Sequence, residues 1–308
     1  MRLLTRSDFD GLASAVLLKE AGIIDEYKFV HPKDIQDGKI EVTKNDVLAN
    51  IPFVPGCGLW FDHHSSERQR MRDNKKINYQ GKIQNAPSCA RVIYDYYGGK
   101  EKFAKFDENG LMEAVDKVDS GQLISSEISN PNSWILLSFI MDPRTGLGRF
   151  KDNTISNYNL MEDMIEYCRT LSIDEILQIP DVQERIQRYE EQEKNYEKMI
   201  KDNSKTDGNV LIIDLHHIEE ILPGNRFKEY VLFPEQNISL RILWGIKKQN
   251  MVFTCGHSVV NRSSNTDVGK LMLKYHGGGH RSVGTCQVPV DDWEKIRDEI
   301  VEQMKANG

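Results

Sequence analysis

The amino-acid sequence predicts an α/β protein with an N-terminal domain built on a parallel sheet, a helical linker and a smaller C-terminal α/β domain. The first observation is that short apolar segments alternate with helical segments early in the chain, a pattern typical of parallel sheets. The second is the length of 308 residues, which fits about two domains. The third is a highly charged segment between the two parts. We place the first domain at residues 1–180, the linker at 181–204 and the second domain at 205–308.

The predicted first domain begins with a strand over residues 1–5, followed by an acidic turn. A helix over 12–21 comes next and ends at Gly22, because glycine commonly ends helices. The remaining predicted elements are strands at 27–30, 46–50 and 58–62, and helical segments at 87–97, 111–118 and 155–179. Several strands end in polar residues, and ligands of parallel sheets bind beyond the carboxyl ends of the strands. We therefore expect the functional site at that edge.

The linker segment over 181–202 is dense in Glu, Gln, Lys and Arg and has few apolar positions. It therefore predicts an exposed helix that bridges two domains, and it lacks the apolar seam of a coiled coil. A different pattern begins after residue 207. The elements predicted there are strands at 210–214, 230–233, 238–244, 251–255 and 284–288, and helices at 267–275 and 293–305.

Charge and composition limit the classes of function. Lys and Arg number 40 against 47 Asp and Glu, so the formal net charge is −7. This balance argues against a surface that coats nucleic acid and favours a small ligand over a long duplex. No apolar run approaches the ~20 residues of a membrane helix, and acidic residues follow the first residues too soon for a signal peptide. The five cysteines show no CxxC spacing, so we expect a reduced, cytoplasmic protein.

Two acidic motifs could bind a cation. In the first, Asp8 and Asp10 are separated by one residue and followed by Gly11, and two such carboxylates can converge on a hard cation. Asp and Gly are also ordinary turn and N-cap residues, so the motif alone does not distinguish these roles. The second motif contains Asp116 and Asp119, the latter in an Asp-Ser-Gly sequence that is most often a turn.

Two further segments combine an acid with adjacent histidines. Asp62, His63 and His64 follow an apolar strand and supply both oxygen and nitrogen ligands, although exposed loop histidines would give the same pattern. The segment Asp214–His217 resembles this triplet. It lies in the predicted second domain without other acidic motifs around it, so we interpret it as strand-end residues and not as a metal site.

A glycine run near the end of the chain is suited to an anion. Gly277–Gly279 let backbone N–H groups approach an anion closely, and His280 and Arg281 add side-chain donors for phosphate. Arg262 lies upstream and could add a guanidinium. A flexible linker is the alternative, but the run lies between a predicted helix and a predicted strand.

Taken together, these motifs resemble the DHH phosphoesterase superfamily, which is named for the triplet found here at residues 62–64. The second half of the chain resembles its partner domain, DHHA1, and the branch that looks most similar is labelled exopolyphosphatase-related. The order of the motifs matches over most of the chain. The resemblance implies hydrolysis of phosphate esters or anhydrides with Mn²⁺ or Mg²⁺, in a cleft between the two domains.

The resemblance also implies a role for each matching residue. The implied metal ligands are Asp8, Asp10, Asp62, His63 and Asp119. His64 matches the histidine that contacts the substrate phosphate. The positions that match the substrate-binding residues of the second domain are Arg262, Gly278, Gly279 and His280.

Two departures from the family pattern affect the metal site. Many relatives have a histidine where this chain has Leu4, and many have an aspartate that bridges two metals where it has Asn50. An amide binds a divalent cation more weakly than a carboxylate because it carries no net charge. We therefore expect one tight Mn²⁺ or Mg²⁺ site, and its remaining candidate ligands are Asp10, His63 and Asp119, with Asn50 as a neutral ligand. Arg6 or a second, weak metal would supply the missing positive charge, and Asp8 could then act as general base.

The leading functional hypothesis is a metal-dependent phosphoesterase that acts on a small phosphorylated substrate. Candidates are a short single-stranded oligonucleotide, a nucleotide phosphate and short polyphosphate. The alternative is a nucleotide- or phosphate-binding protein with little catalysis, because the second-motif carboxylate is missing. A homodimer is compatible with either hypothesis, and no membrane partner is expected.

Overall fold

A five-stranded, all-parallel sheet forms the centre of the first unit in the computed structural model, which describes residues 1–73 and 78–308. This unit comprises Met1–Gln122 and Pro131–Tyr189, and a second unit comprises Leu123–Asn130 and Glu190–Gly308. The strands of the first sheet are β1 (Arg2–Arg6), β2 (Glu26–Val30), β3 (Asp46–Ala49), β4 (Leu59–Asp62) and β5 (Gly81–Ile83). Their order across the sheet is β2-β1-β3-β4-β5. The predicted α/β class with an N-terminal parallel sheet is confirmed.

Helices account for most of the remaining chain. They are α1 (Phe9–Glu20), α2 (Pro32–Gln36), α3 (Ser65–Asp73), α4 (Cys89–Tyr96), α5 (Lys100–Glu108), α6 (Leu111–Asp119), α7 (Ser125–Ser129), α8 (Ser133–Met141), α9 (Asn157–Thr170), α10 (Ile173–Leu177), α11 (Pro180–Asp202), α12 (Lys228–Leu232), α13 (Val268–Leu273) and α14 (Trp293–Ala306). Short 3-10 turns cover Pro143–Thr145, Leu147–Arg149 and Ile246–Lys248. Among the described residues, none of these helices combines the length and apolar character needed to cross a bilayer.

The first core forms because the central strands are apolar on both faces. Leu3 and Leu4 of β1 and Val47 and Leu48 of β3 are fully buried, as expected for parallel strands covered by helices on both sides. Helix α1 follows β1 directly and is also buried through its middle, over residues 12–18. The turn between β1 and α1 is therefore held between two fully packed elements.

The strand register places polar residues at one edge of the first sheet. Leu4 pairs with Leu48, and β3 and β4 pair in the same parallel sense. Asp8 follows β1, Asn50 follows β3 and Asp62 ends β4. Because parallel strands end at the same edge, these three side chains lie on adjacent strands at the carboxyl edge.

The second unit contains a mixed six-stranded sheet. Its strands are β6 (Ser204–Asp207), β7 (Val210–Asp214), β8 (Ile238–Trp244), β9 (Met251–His257), β10 (Gly278–Gly279) and β11 (Val283–Val288), in the order β10-β11-β9-β8-β7-β6. Strands β7 and β8 pair in parallel, and the other neighbours in this order pair antiparallel. The core of this unit includes Leu240, Phe253 and Met272, all fully buried.

Two sequence predictions about the second unit and the linker are wrong. The sequence predicts a strand at 230–233, but these residues lie in and just after helix α12. Contacts from other elements hold this helix, since Lys228 Nζ pairs with Glu193 at 2.5 Å and the Tyr230 hydroxyl lies 3.1 Å from Ser239 Oγ. These tertiary contacts override the β propensity of the Tyr-Val-Leu-Phe sequence.

The charged helix α11 is not exposed all round, contrary to the prediction. Val182, Ile186 and Tyr189 are buried in the first unit, and Tyr196 and Ile200 are buried in the second. Their spacing follows the helical period of 3.6 residues, so the sequence contained this signal within a strongly charged background. The predicted helical segment over 155–179 is also two helices, α9 and α10.

Candidate active site

Asp8 is the N-cap residue of helix α1, and both of its carboxylate oxygens have partners within the protein. Its Oδ1 accepts hydrogen bonds from the Gly11 N–H and from Asn50 Nδ2, both at 3.0 Å. Its Oδ2 lies 3.0 Å from Arg6 Nε in an ion pair. The turn is tight, because a Cβ on Gly11 would lie 1.9 Å from the Arg6 carbonyl oxygen. Asp8 therefore joins β1, α1 and the residue after β3.

Asp10 is almost fully buried and is held by the start of helix α4. Its two oxygens accept the backbone N–H groups of Cys89 and Ala90 at 2.9 and 2.8 Å. A helix N-terminus favours a negative charge. Burial, together with the charges of Asp119 and Asp8, nevertheless raises the pKa of Asp10 well above its ordinary value. A cation beside Asp10 would relieve this cost.

His63 directs one ring nitrogen at two carboxylates. Its Nδ1 lies 3.2 Å from the Ala86 carbonyl oxygen, which selects the tautomer protonated at Nδ1 and leaves a lone pair on Nε2. Nε2 lies 3.2 Å from Asp119 Oδ2 and 3.7 Å from Asp10 Oδ2. It is buried and has no hydrogen-bond partner within the described part of the chain.

Asp62 orients the second histidine of the triplet. Its Oδ1 accepts His64 Nδ1 at 2.6 Å and the backbone N–H groups of His63 and His64 at 2.7 and 3.2 Å. Burial lowers the pKa of His64, but the hydrogen bond and charge of Asp62 outweigh it and raise the pKa to about 9. His64 is therefore held as a positively charged donor at neutral pH.

The donor set formed by Asp10, His63 and Asp119 fits a divalent cation. One ligand atom from each residue lies within 4.8 Å of the others. Burial raises the pKa of Asp119, as it does that of Asp10. The positive charges and hydrogen bonds of the protein therefore do not fully offset the loss of hydration of these two carboxylates. Two carboxylates and one imidazole suit Mn²⁺ or Mg²⁺, and the unpartnered His63 Nε2 is the atom that such an ion would use.

The other acid of the third motif has a different role. Asp116 Oδ1 accepts the Ser88 hydroxyl at 2.7 Å, and its Oδ2 pairs with Arg91 at 2.7 Å. Ser88 is also the N-cap of α4, where its side chain accepts the Arg91 N–H at 3.0 Å. Asp116 thus stabilises the helix start that holds Asp10.

The substrate-binding residues predicted near the C-terminus lie in the second unit. Gly278 and Gly279 form β10, and a Cβ on Gly279 would lie 2.2 Å from the Val283 carbonyl oxygen. The His280 N–H donates to the same carbonyl at 2.6 Å. Arg262 is exposed, and its Nε donates to the Val259 carbonyl oxygen at 2.9 Å. Close packing therefore also requires Gly279, whereas a Cβ on Gly278 would meet no atom within 4 Å.

The second Asp-His-His segment has protein partners. His216 Nδ1 lies 2.5 Å from Asp214 Oδ1, and His217 Nε2 lies 2.8 Å from Asn203 Oδ1. One ligand atom from each of its three members lies within 4.8 Å of the others. The interpretation of this segment as strand-end residues stays a prediction.

Sequence reasoning missed Arg144, which follows helix α8. Its guanidinium is held by Asp142, with Nε–Oδ1 and Nη2–Oδ2 distances of 2.8 and 2.7 Å. Burial lowers the pKa of Arg144, but the charges of Asp142, Asp8 and Asp119 outweigh it and raise the pKa. The side chain is 44% exposed, so it can face a ligand. No spacing in the sequence connects this arginine to the acids.

Comparison with known proteins identifies the family. No protein-family model and no curated protein matches the sequence. Among solved structures, the chain is 47% identical to a pGpG-specific phosphodiesterase, PggH, from Vibrio cholerae, covering 100% of this chain and 99% of that one with a TM-score of 0.81. The chain belongs to the DHH phosphoesterase superfamily. As a DHH protein it is a hydrolase that acts on phosphate ester bonds.

More distant DHH proteins share the fold. The DHH domain of a member of the s1p family of ribosomal proteins is 12% identical, with a TM-score of 0.61, covering 99% of this chain and 86% of that one. RecJ from Thermus thermophilus in complex with Mn²⁺ is 11% identical, with a TM-score of 0.53, covering 99% of this chain and 52% of that one. At these identities the likeness extends to the fold alone.

Proposed function

We propose that this protein is a divalent-metal-dependent phosphodiesterase that hydrolyses short guanine-containing dinucleotides such as pGpG. The observation that carries the proposal is the cluster of Asp10, His63 and Asp119, in which His63 Nε2 is buried and has no hydrogen-bond partner among the described residues. The full-length similarity to a pGpG-specific phosphodiesterase supports the choice of substrate. The exopolyphosphatase-related label is a weaker guide to the substrate than this similarity.

Asp10, His63 and Asp119 would hold one Mn²⁺ or Mg²⁺ ion tightly. When bound, such an ion lowers the pKa of a coordinated water and polarises a phosphate oxygen. The ion pair between Arg6 and Asp8 supports a single tight site, because Asp8 already has a counter-charge. Asn50 donates to Asp8, and Asp62 is engaged by both histidines of its triplet, so these two residues would act mainly by positioning.

His64 would donate a hydrogen bond to the substrate phosphate. Asp62 fixes its ring through Nδ1 and favours its protonated form, so the charge is in place before the substrate binds. Arg144 would add a second positive group. Asp8 remains the candidate general base, and Arg6 must release it before it can accept a proton.

We assign catalysis to residues 1–180, a linking role to 181–204 and substrate binding to 205–308. In the last region the proposed phosphate contacts are Arg262, Gly278, Gly279 and His280. Glycines, which have no Cβ, let an anion approach the backbone closely.

The alternative is a nucleotide-binding protein with weak catalysis. One observation favours it: the residue after β3 is Asn50, whose amide donates to Asp8, where many relatives place a bridging carboxylate. Such a protein would bind pGpG tightly without turnover.

The test is hydrolysis by metal-stripped protein with and without Mn²⁺. The substrates are pGpG, pApA, cyclic dinucleotides, 3′,5′-phosphoadenosine phosphate, short polyphosphate and bis-p-nitrophenyl phosphate. We expect Mn²⁺-dependent hydrolysis of pGpG that falls by about 10²-fold or more in His64→Gln. The matched control His217→Gln should retain it. Tight pGpG binding without turnover would support the alternative. A protein that neither binds nor hydrolyses pGpG would contradict both hypotheses.

A further inference from the structure

A cavity of about 200 Å³ lies in the first unit and is lined in part by the residue that precedes Asp8. Its walls come from the residue after β1, the end of α8, the 3-10 turns that follow and the start of α9. Ser7 lines it and immediately precedes Asp8. Pro143 also lines it, and the neighbouring Arg144 interacts with the charges of Asp8 and Asp119. Two separate segments that line the cavity therefore lead directly to Asp8 and Arg144.

The lining of this cavity combines an aromatic side chain, apolar groups and polar donors. Tyr158 is 41% exposed, and its ring meets Phe29 edge-on with centroids 6.2 Å apart. Met161 adds a second apolar surface. Asn157 Oδ1 accepts Arg185 Nε at 3.2 Å, which leaves the Asn157 amide nitrogen as a donor. Arg149 contributes an exposed guanidinium.

The size of the cavity selects one ring system. Pockets for drug-sized ligands have volumes of about 300–1,000 Å³, so this smaller space fits one nucleobase and not a whole dinucleotide.

We infer that this cavity binds one guanine base of the substrate, with Arg149 as the residue that distinguishes guanine from adenine. Arginine donates to the O6 and N7 acceptors of guanine, whereas adenine presents an amino donor in place of O6. The Asn157 amide is a second donor for the same edge, and Tyr158 supplies a stacking surface. This inference rests on the proposed function, because it concerns the substrate of the same site.

The experiment compares kcat/KM for pGpG, pApA and bis-p-nitrophenyl phosphate, which carries no purine. Arg149→Ala should lower the preference for pGpG over pApA by about tenfold, within the range expected for one bidentate arginine–guanine contact, and leave bis-p-nitrophenyl phosphate hydrolysis unchanged. Arg149→Lys should also lose preference, because a single ammonium cannot form the paired contact. Tyr158→Ala should raise KM for both dinucleotides, and Tyr158→Phe should not.

Lys100→Ala removes an exposed cation in the same unit and serves as the matched control. An unchanged pGpG preference in Arg149→Ala, in protein that hydrolyses pGpG, would overturn the inference and leave the proposed function standing. A wild-type protein that hydrolyses no dinucleotide would overturn the proposed function and this inference with it.

Discussion

Replacing Asp10 with asparagine should lower the affinity of the site for a cation and leave the stability of the fold nearly unchanged. Asp10 is 1% exposed, and its two oxygens accept the N–H groups of Cys89 and Ala90. Asparagine retains one acceptor and places an amide donor against the other N–H, at a cost of about 1–3 kcal/mol. Removing a buried charge beside Asp8 and Asp119 offsets part of this cost. We therefore expect the free energy of unfolding, measured without metal, to change by about 1 kcal/mol or less.

The response to Mn²⁺ should change much more. An ion that binds only the folded protein stabilises it by about 2.7 kcal/mol at 100 times its Kd. For a domain of this size, that corresponds to a rise in Tm of about 5–10 °C. Asp10→Asn removes one of three ligands and its charge, so its Tm should rise by less than about 2 °C. The measurement is thermal unfolding of each protein with chelator and with Mn²⁺.

Asp116→Asn is the matched control, because Asp116 stabilises the same helix start but pairs with Arg91. It should lower Tm equally with and without Mn²⁺ and keep the full Mn²⁺ shift. An equal Mn²⁺ shift in wild type and Asp10→Asn would refute the assignment of Asp10 as a ligand. A wild-type protein with no shift would refute the cation site itself.

Three further predictions concern the same region. Gly11→Ala should lower the free energy of unfolding by about 3 kcal/mol in urea denaturation, because a Cβ there would lie 1.9 Å from the Arg6 carbonyl oxygen. Burial raises the pKa of Asp10 and Asp119, so the metal-free folded state retains protons that the unfolded chain releases. The stability contributed by protonated Asp10 and Asp119 is complete below the unfolded-state pKa of about 4 and is lost as the pH rises through the raised pKa values of the folded protein. Asp10→Asn should therefore lose less free energy of unfolding as the pH rises above about 4. The measurement is unfolding followed at a series of pH values. Arg144→Ala should raise KM for pGpG about tenfold in steady-state kinetics and leave the Mn²⁺ shift in place, because Asp142 and not the cluster holds this side chain.

The sequence was sufficient to predict the parallel sheet and the acids at its edge. Alternating apolar strands and helices predicted the architecture, and the predicted acids lie at the carboxyl edge, since Asp8 follows β1 and Asp62 ends β4. These predictions succeeded because they depend on local pattern and on a general property of parallel sheets.

Contacts between distant segments could not be predicted in this way. Arg144 interacts electrostatically with Asp8 although the two residues are far apart in the sequence. No periodicity in the sequence predicts this interaction. The amide of Asn50 on Asp8 depends on the register between β1 and β3. Helix α12 formed where the local sequence favoured a strand, because contacts with Glu193 and Ser239 stabilise it.

The distribution of counter-charges distinguishes the acids that serve the fold from those suited to a cation. Several acids around the site have an arginine partner, and these ion pairs are Arg6–Asp8, Arg91–Asp116 and Arg144–Asp142. Asp10 and Asp119 instead face His63 Nε2, and burial raises the pKa of both. A fold that needed these two carboxylates only for stability would gain from an arginine there. Their position beside an unpartnered imidazole nitrogen is therefore best explained by a cation that binds all three.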